Sequence, residues 1–220
     1  GFPENLNGSG CGGVAEGDAF LNGTVYDTVD EALEVATSGQ TIFLLAHCDS
    51  YYGIYLEEGV CLDLNGHMVQ TDSVLSYGSI IDSSNGEGGL STLDLQMENS
   101  KQLVLWDEDA FLYRFFDYEL ISLGTKTMAG GVRFGFALEM TNKDAYALLA
   151  EQGNGGLEVS VTMQVGSTSK TFAFGEELLR EYAQLQQQNA ALRSAMMLRV
   201  TGLDALTAGQ SLRVTPSVTM

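Results

Sequence analysis

A chain of 220 residues is long enough for one large β domain or two small ones, and 45% hydrophobic against 18% charged residues marks it as a folding chain. The formal charge of −19 excludes nucleic acid and anionic membrane surfaces as partners, because gripping phosphates needs Lys and Arg to displace their counterions. No apolar run reaches about 18 residues, so no membrane insertion is expected, and Gly1 opens the chain without the charged and apolar regions of a signal peptide, which is expected to lie outside it.

Residues 19–26 read as two short strands around Asn22-Gly23, the dipeptide that most readily takes the positive φ angles of a type I′ hairpin. Thr28 and Glu31 then form a capping box, and Val29, Ala32, Leu33 and Ala36 fall on one face of a short helix stopped by Gly39. Such a one-sided helix is expected to cover the end of a β core. Strand-length apolar runs follow at 41–45, 53–56, 60–64, 79–82 and 93–95. Ile42, Leu62 and Ile80 are spaced by 20 and 18 residues, as when successive turns of a parallel β coil stack on one another. On this spacing Leu62 and Leu64 point inward and Asp63 outward.

Charge then changes abruptly. Residues 1–100 carry 16 acids and no base, whereas residues 101–220 carry 13 acids and all ten bases, so the halves bear −16 and −3. The division expected from this is an acidic coil over 1–100 and a second module over 101–220. In the second part, Trp106-Asp107-Glu108-Asp109 separates apolar runs at 103–105 and 111–116, as at a hairpin tip or a strand edge. Alternation marks strands at 132–140 and 157–165, then around Leu198 and Val200, and from Leu212 to Val214, with helical stretches at 143–151 and 176–188 between them.

The run Gly39-Gln40-Thr41-Ile42-Phe43-Leu44-Leu45, with Glu58-Gly59-Val60, Leu62-Asp63-Leu64-Asn65-Gly66-His67 and the preceding Val29-Asp30-Glu31-Ala32-Leu33, resembles right-handed β-helix regions of Gram-positive gut-bacterial surface proteins. The resemblance covers about residues 24–95 and implies a secreted or cell-surface, modular protein that recognises glycans or host surfaces. Gly130-Gly131-Val132-Arg133-Phe134-Gly135-Phe136 and Gly209-Gln210-Ser211-Leu212-Arg213-Val214 look like the small β-sandwich modules appended to such proteins. The expected fold is therefore mainly β: a short right-handed parallel β-helix-like coil with a capping helix, followed by an immunoglobulin-like β-sandwich with one or two short helices. Only about three turns fit, fewer than the enzymes of this architecture use to build a substrate groove.

Asp63, Asp82 and Asp94 beside inward-pointing Leu or Ile could form an outward ladder of carboxylates, the acid and base of a glycoside hydrolase, or instead a solvated acidic face or asparagine-like turn caps. Tyr51, Tyr52, Tyr55 and Trp106 could instead hold a sugar by stacking. His47, Cys48 and His67 fit no zinc spacing, and Asp107 with Asp109 offers oxygens to calcium without the rest of a loop signature. Cys11, Cys48 and Cys61 allow at most one bridge, Cys48 to Cys61 if those strands adjoin, or simply buried thiols. No catalytic residue is assigned. The expectation is a non-enzymatic module of a larger chain with flanking domains, binding a glycan or surface protein or acting as a spacer; the alternative is a carbohydrate-active enzyme, a hydrolase before a lyase. Abstracting a proton beside a uronate needs a cation that a coil without Lys or Arg lacks.

Overall fold

The computed structural model describes residues 16–97, 100–128, 131–151, 158–188, 195–203 and 212–219; Cys11 lies outside them. The chain enters as the antiparallel hairpin β1 (Ala19–Leu21) and β2 (Thr24–Tyr26). Its turn places Asn22 at φ 50° and Gly23 at φ 87°, the left-handed pair a type I′ turn requires. Helix α1 (Val29–Val35) begins where expected: the Glu31 N–H donates to Thr28 Oγ1 at 3.3 Å. Val29 and Ala32 are fully buried, and the helix packs on the first strands of the core.

Nine short strands follow: β3 (Thr41–Leu44), β4 (Cys48–Asp49), β5 (Ile54–Leu56), β6 (Cys61–Asp63), β7 (Met68–Gln70), β8 (Ser73–Ser76), β9 (Ser79–Ile81), β10 (Gly89–Ser91) and β11 (Asp94–Met97). The chain visits three sheets in rotation. β3, β6 and β9 pair in parallel, as do β4, β7 and β10, and β5, β8 and β11. Ile42 stands opposite Leu62 and Leu62 opposite Ile80, the stack that the 20- and 18-residue spacings predict. Leu62 and Leu64 are both fully buried among Ile42, Ile54, Val74, Ile80 and Leu90.

The strands β12 (Leu103–Asp107) and β13 (Leu112–Phe116) form an antiparallel hairpin with its tip at residues 108–111, and β13 pairs with β10 through Leu90 and Tyr113. One sheet therefore runs β12-β13-β10-β7-β4, and its pairing continues past the composition change at Lys101. Beyond it come β14 (Tyr118–Met128), β15 (Gly131–Met140), helix α2 (Asp144–Glu151), β16 (Glu158–Val165), β17 (Thr168–Gly175), helix α3 (Glu176–Gln188), β18 (Ala195–Leu203) and β19 (Leu212–Thr219). These strands make two antiparallel sheets, β14-β15-β18 and β17-β16-β19. One core joins them: Val132, Phe134, Phe136 and Leu138 of β15 and Val159, Val161 and Met163 of β16 meet Tyr146 and Leu149 of α2 and Leu179 and Ala183 of α3. On α3 the buried stripe is Leu179 and Ala183, whereas Leu178 and Leu185 are exposed. The fold is mainly β throughout.

Because Leu62 fills the centre of the parallel stack, Leu62→Ala should lower unfolding stability by about 2–5 kcal/mol in urea titrations, the range for core Leu truncation. A loss near zero would mean that the stacked strands do not share a packed interior.

Candidate functional site

The three aspartates that could have formed an outward ladder do not form one. Asp63 is only 3% exposed, and its carboxylate accepts the backbone N–H groups of Asn65 and Ser83, each at 2.9 Å. Strand alternation fails there because β6 ends at Asp63 and the chain turns through Asn65 at φ 49° and Gly66 at φ 80°. Asp82 is fully buried. Its Oδ1 accepts from the Gly66 N–H at 2.9 Å and the Ser84 N–H at 3.2 Å, its Oδ2 accepts from the Gly86 and Gly88 N–H groups at 2.9 and 2.8 Å, and the Ser84 hydroxyl donates at 2.7 Å. A side chain at position 88 would meet Asp82 Oδ1 and the His67 carbonyl at 2.9 Å, so glycine is required. Asp94 alone is exposed, bonded to its neighbour Gln96. Two of the three carboxylates are thus filled by turn donors and stabilise backbone.

A concave surface lies on the sheet β12-β13-β10-β7-β4. Two adjoining hollows of about 420 and 310 Å³ share Asp49 and Gln70 and make one groove. In its floor Asp49, Gln70 and Ser91 stand in register across β4, β7 and β10, a row of outward polar side chains one strand spacing apart. One end is closed by Phe111 and Leu112, the other by Tyr51, Thr71 and Asp72. Phe111, at φ 55° on the hairpin tip, is 68% exposed. Tyr51 is 88% exposed, and its turn is anchored by α1: the Tyr51 N–H and the Ser50 hydroxyl donate to Asp30 at 2.9 and 2.7 Å.

Of the four aromatics singled out in the sequence, Tyr51 and Tyr52 meet with ring centres 6.2 Å apart beside the groove. Trp106 stands at the opposite end, tilted against Tyr113 with ring centres 4.8 Å apart and edge-on to Phe111 at 6.3 Å, so it supports the ring that lines the groove. Tyr55 belongs to another sheet, where it pairs with Tyr77 at 6.1 Å. Sequence reasoning missed Asp49, Gln70, Ser91 and Phe111 as a group. They lie in strands of two or three residues and a turn, too short to carry a periodic signal.

The remaining polar candidates have other roles. Asp107 accepts from Arg114 Nε at 2.7 Å and the Ala110 N–H at 3.1 Å, and Asp109 is exposed. Burial pushes the Asp107 carboxyl up, but the Arg114 and Ala110 hydrogen bonds and the Arg114 charge outweigh it and hold it below the usual range. His47 Nδ1 accepts the Met68 N–H at 2.9 Å, and its ring lies 5.4 Å from that of His67. Among the described residues no three metal-ligating side chains converge. Cys48 and Cys61 are free thiols on different sheets. Burial, then Asp18, Asp49 and Asp30, push the Cys48 thiol up to about 12, so it stays protonated and unreactive at neutral pH. Comparison with protein-family models, curated proteins and solved structures found no match to this chain.

Asp82→Asn places an amide against backbone N–H groups that need an acceptor, and should lower stability by about 3 kcal/mol, while Asp94→Asn should change it by less than about 0.5 kcal/mol. Equal effects in thermal melts would remove Asp82 from its structural role. A second expectation concerns pH. Burial first, and His47 second, lower the pKa of His67 from 6.5 against the pull of Asp82. The unfolded chain therefore takes up this proton more readily than the folded one, and stability is lost as pH falls through 6.5 towards the lower folded value. Asp107, with its folded pKa below 3.8, contributes stability above 3.8 that disappears as pH falls through its folded value. His67→Asn should flatten only the first of these two declines; an unchanged profile would show that His67 does not titrate differently on folding.

Proposed function

We propose that this chain is a non-enzymatic recognition module of a secreted or cell-surface protein, and that the groove holds a glycan. The observation that carries the reading is the polar row Asp49-Gln70-Ser91 lying between exposed aromatic rings at Tyr51 and Phe111. Sugars present apolar ring faces that stack on aromatics and hydroxyls that both donate and accept, so a polar floor flanked by rings fits them. From β4 to β13 the floor spans three strand spacings, about 14 Å, the scale of a short oligosaccharide. A hydrolase is less well supported, since the Asp63 and Asp82 carboxylates are occupied by turn donors.

The same reading takes the rotation of the chain through three parallel sheets as a short right-handed β-helix capped by α1, and the two antiparallel sheets as an immunoglobulin-like sandwich elaborated by two helices. It places the chain beside the gut-bacterial surface proteins that residues 24–95 resemble, with further domains flanking it and a host or bacterial surface as the setting of its ligand.

A glycan array run with and without calcium tests this directly: specific binding without product formation is expected, and calcium should make little difference. Tyr51→Ala and Phe111→Ala should each weaken the best ligand by about tenfold, the loss of one stacked ring, with melting temperature nearly unchanged because both rings are exposed. Sugar cleavage, or binding indifferent to both substitutions, would overturn the reading.

A further inference from the structure

We infer that the groove selects sugars bearing a free amino group, with the ammonium held at its Tyr51 end by Asp49 and Asp72. This rests on the glycan reading above and adds the charge of the ligand. Asp49 lines both hollows and Asp72 the one beside Tyr51. Both are exposed, and among the described residues neither carboxylate takes part in a hydrogen bond or ion pair, although each stands where a bound molecule would lie. Asp30, hydrogen-bonded under the same turn, adds a third negative charge.

Among the described residues no Lys or Arg is paired with them. Residues 1–100 contain no Lys or Arg. Arg114, on β13 and so three strands away from β4 in the sheet, is committed to Asp107 at 2.7 Å and to the Gly86 carbonyl at 2.9 Å. Lys101 acts instead on Cys61, which lies on a different sheet. The uncompensated field also registers at Asp18, whose carboxyl is raised by burial, then by Asp27 and Asp49.

A uronate or other acidic sugar would meet this field as a like charge. A neutral sugar would gain only stacking and hydroxyl hydrogen bonds. An amino sugar would add a charge-assisted bond to Asp49 or Asp72 and a cation against the faces of Tyr51 and Tyr52, which stand 6.2 Å apart at the groove mouth.

The test is calorimetric titration of the full 220-residue chain with a glucosamine oligomer, its fully N-acetylated counterpart of equal length, and a lysine oligopeptide of matched charge. The amine-bearing sugar should bind at least tenfold more tightly than the acetylated one at low salt. That ratio should shrink at 1 M sodium chloride, where the screening length falls to about 3 Å, and should vanish in the Asp49→Asn/Asp72→Asn double variant, whose fold circular dichroism would verify. Equal affinity for the two sugars, or a preference that survives the double variant, overturns the inference and leaves the glycan reading standing. Lysine peptide binding as tight as the amino sugar overturns the assignment to sugars in favour of a basic peptide. Binding of none of the three, on a chain whose array is also blank, sinks the glycan reading and this inference with it.

Discussion

The buried Asp82 carboxylate is the constraint on which the two parts of this molecule depend. A charge taken fully out of water is tolerated only when donors surround it, and here backbone N–H groups from Gly66, Ser84, Gly86 and Gly88 and the Ser84 hydroxyl do so. In meeting that demand the chain folds the 82–88 loop into one shape. The loop then carries the connection to the second part: Gln102 bridges the Asp82 backbone to Asp117, Asn85 accepts from the Asp117 N–H, and Asn85 bonds Thr141 and Asn142. Arg114 closes the loop from the hairpin side through the Gly86 carbonyl.

The β12–β13 hairpin supplies the apolar half of the same junction. Strand side chains alternate between faces, so Val104 and Phe115 enter the core of the parallel strands while Leu103, Leu105 and Phe116 enter the core shared by the two antiparallel sheets and their helices. A hairpin buried on both faces is a common wall. Its outer turn meanwhile projects Phe111 over the groove, so the element that joins the two cores also forms one end of the candidate site.

The acidic character of the first half resolves into separate uses of one residue type. Asp63 and Asp82 are turn-stabilising acceptors, and Asp30 anchors the Tyr51 turn. Asp49 and Asp72 remain on the open surface facing the groove. Net charge alone could not distinguish these, yet the last pair gives the groove its selectivity in the reading proposed above.

Some of this was legible from residues 1–220 alone, where local chemistry is strong. Asn22-Gly23 specifies its hairpin, Thr28 its helix cap, and the spacing of Ile42, Leu62 and Ile80 the register of three parallel strands, because each depends on neighbours in sequence or on a repeat. The alternation at 132–140 and 157–165 likewise marks β15 and β16. Strands β4, β7, β8 and β10 were not legible, since a single inward residue such as Val69, Val74 or Leu90 between turns makes no pattern. β14 and β17, rich in polar residues, become strands by pairing with β15 and β16. Asp63 was misplaced for a related reason: alternation holds only within a strand, and only the folded chain brings the Ser83 N–H to its carboxylate. The groove is tertiary altogether, because Asp49, Gln70 and Ser91 lie 21 residues apart in sequence and become a row only through parallel stacking.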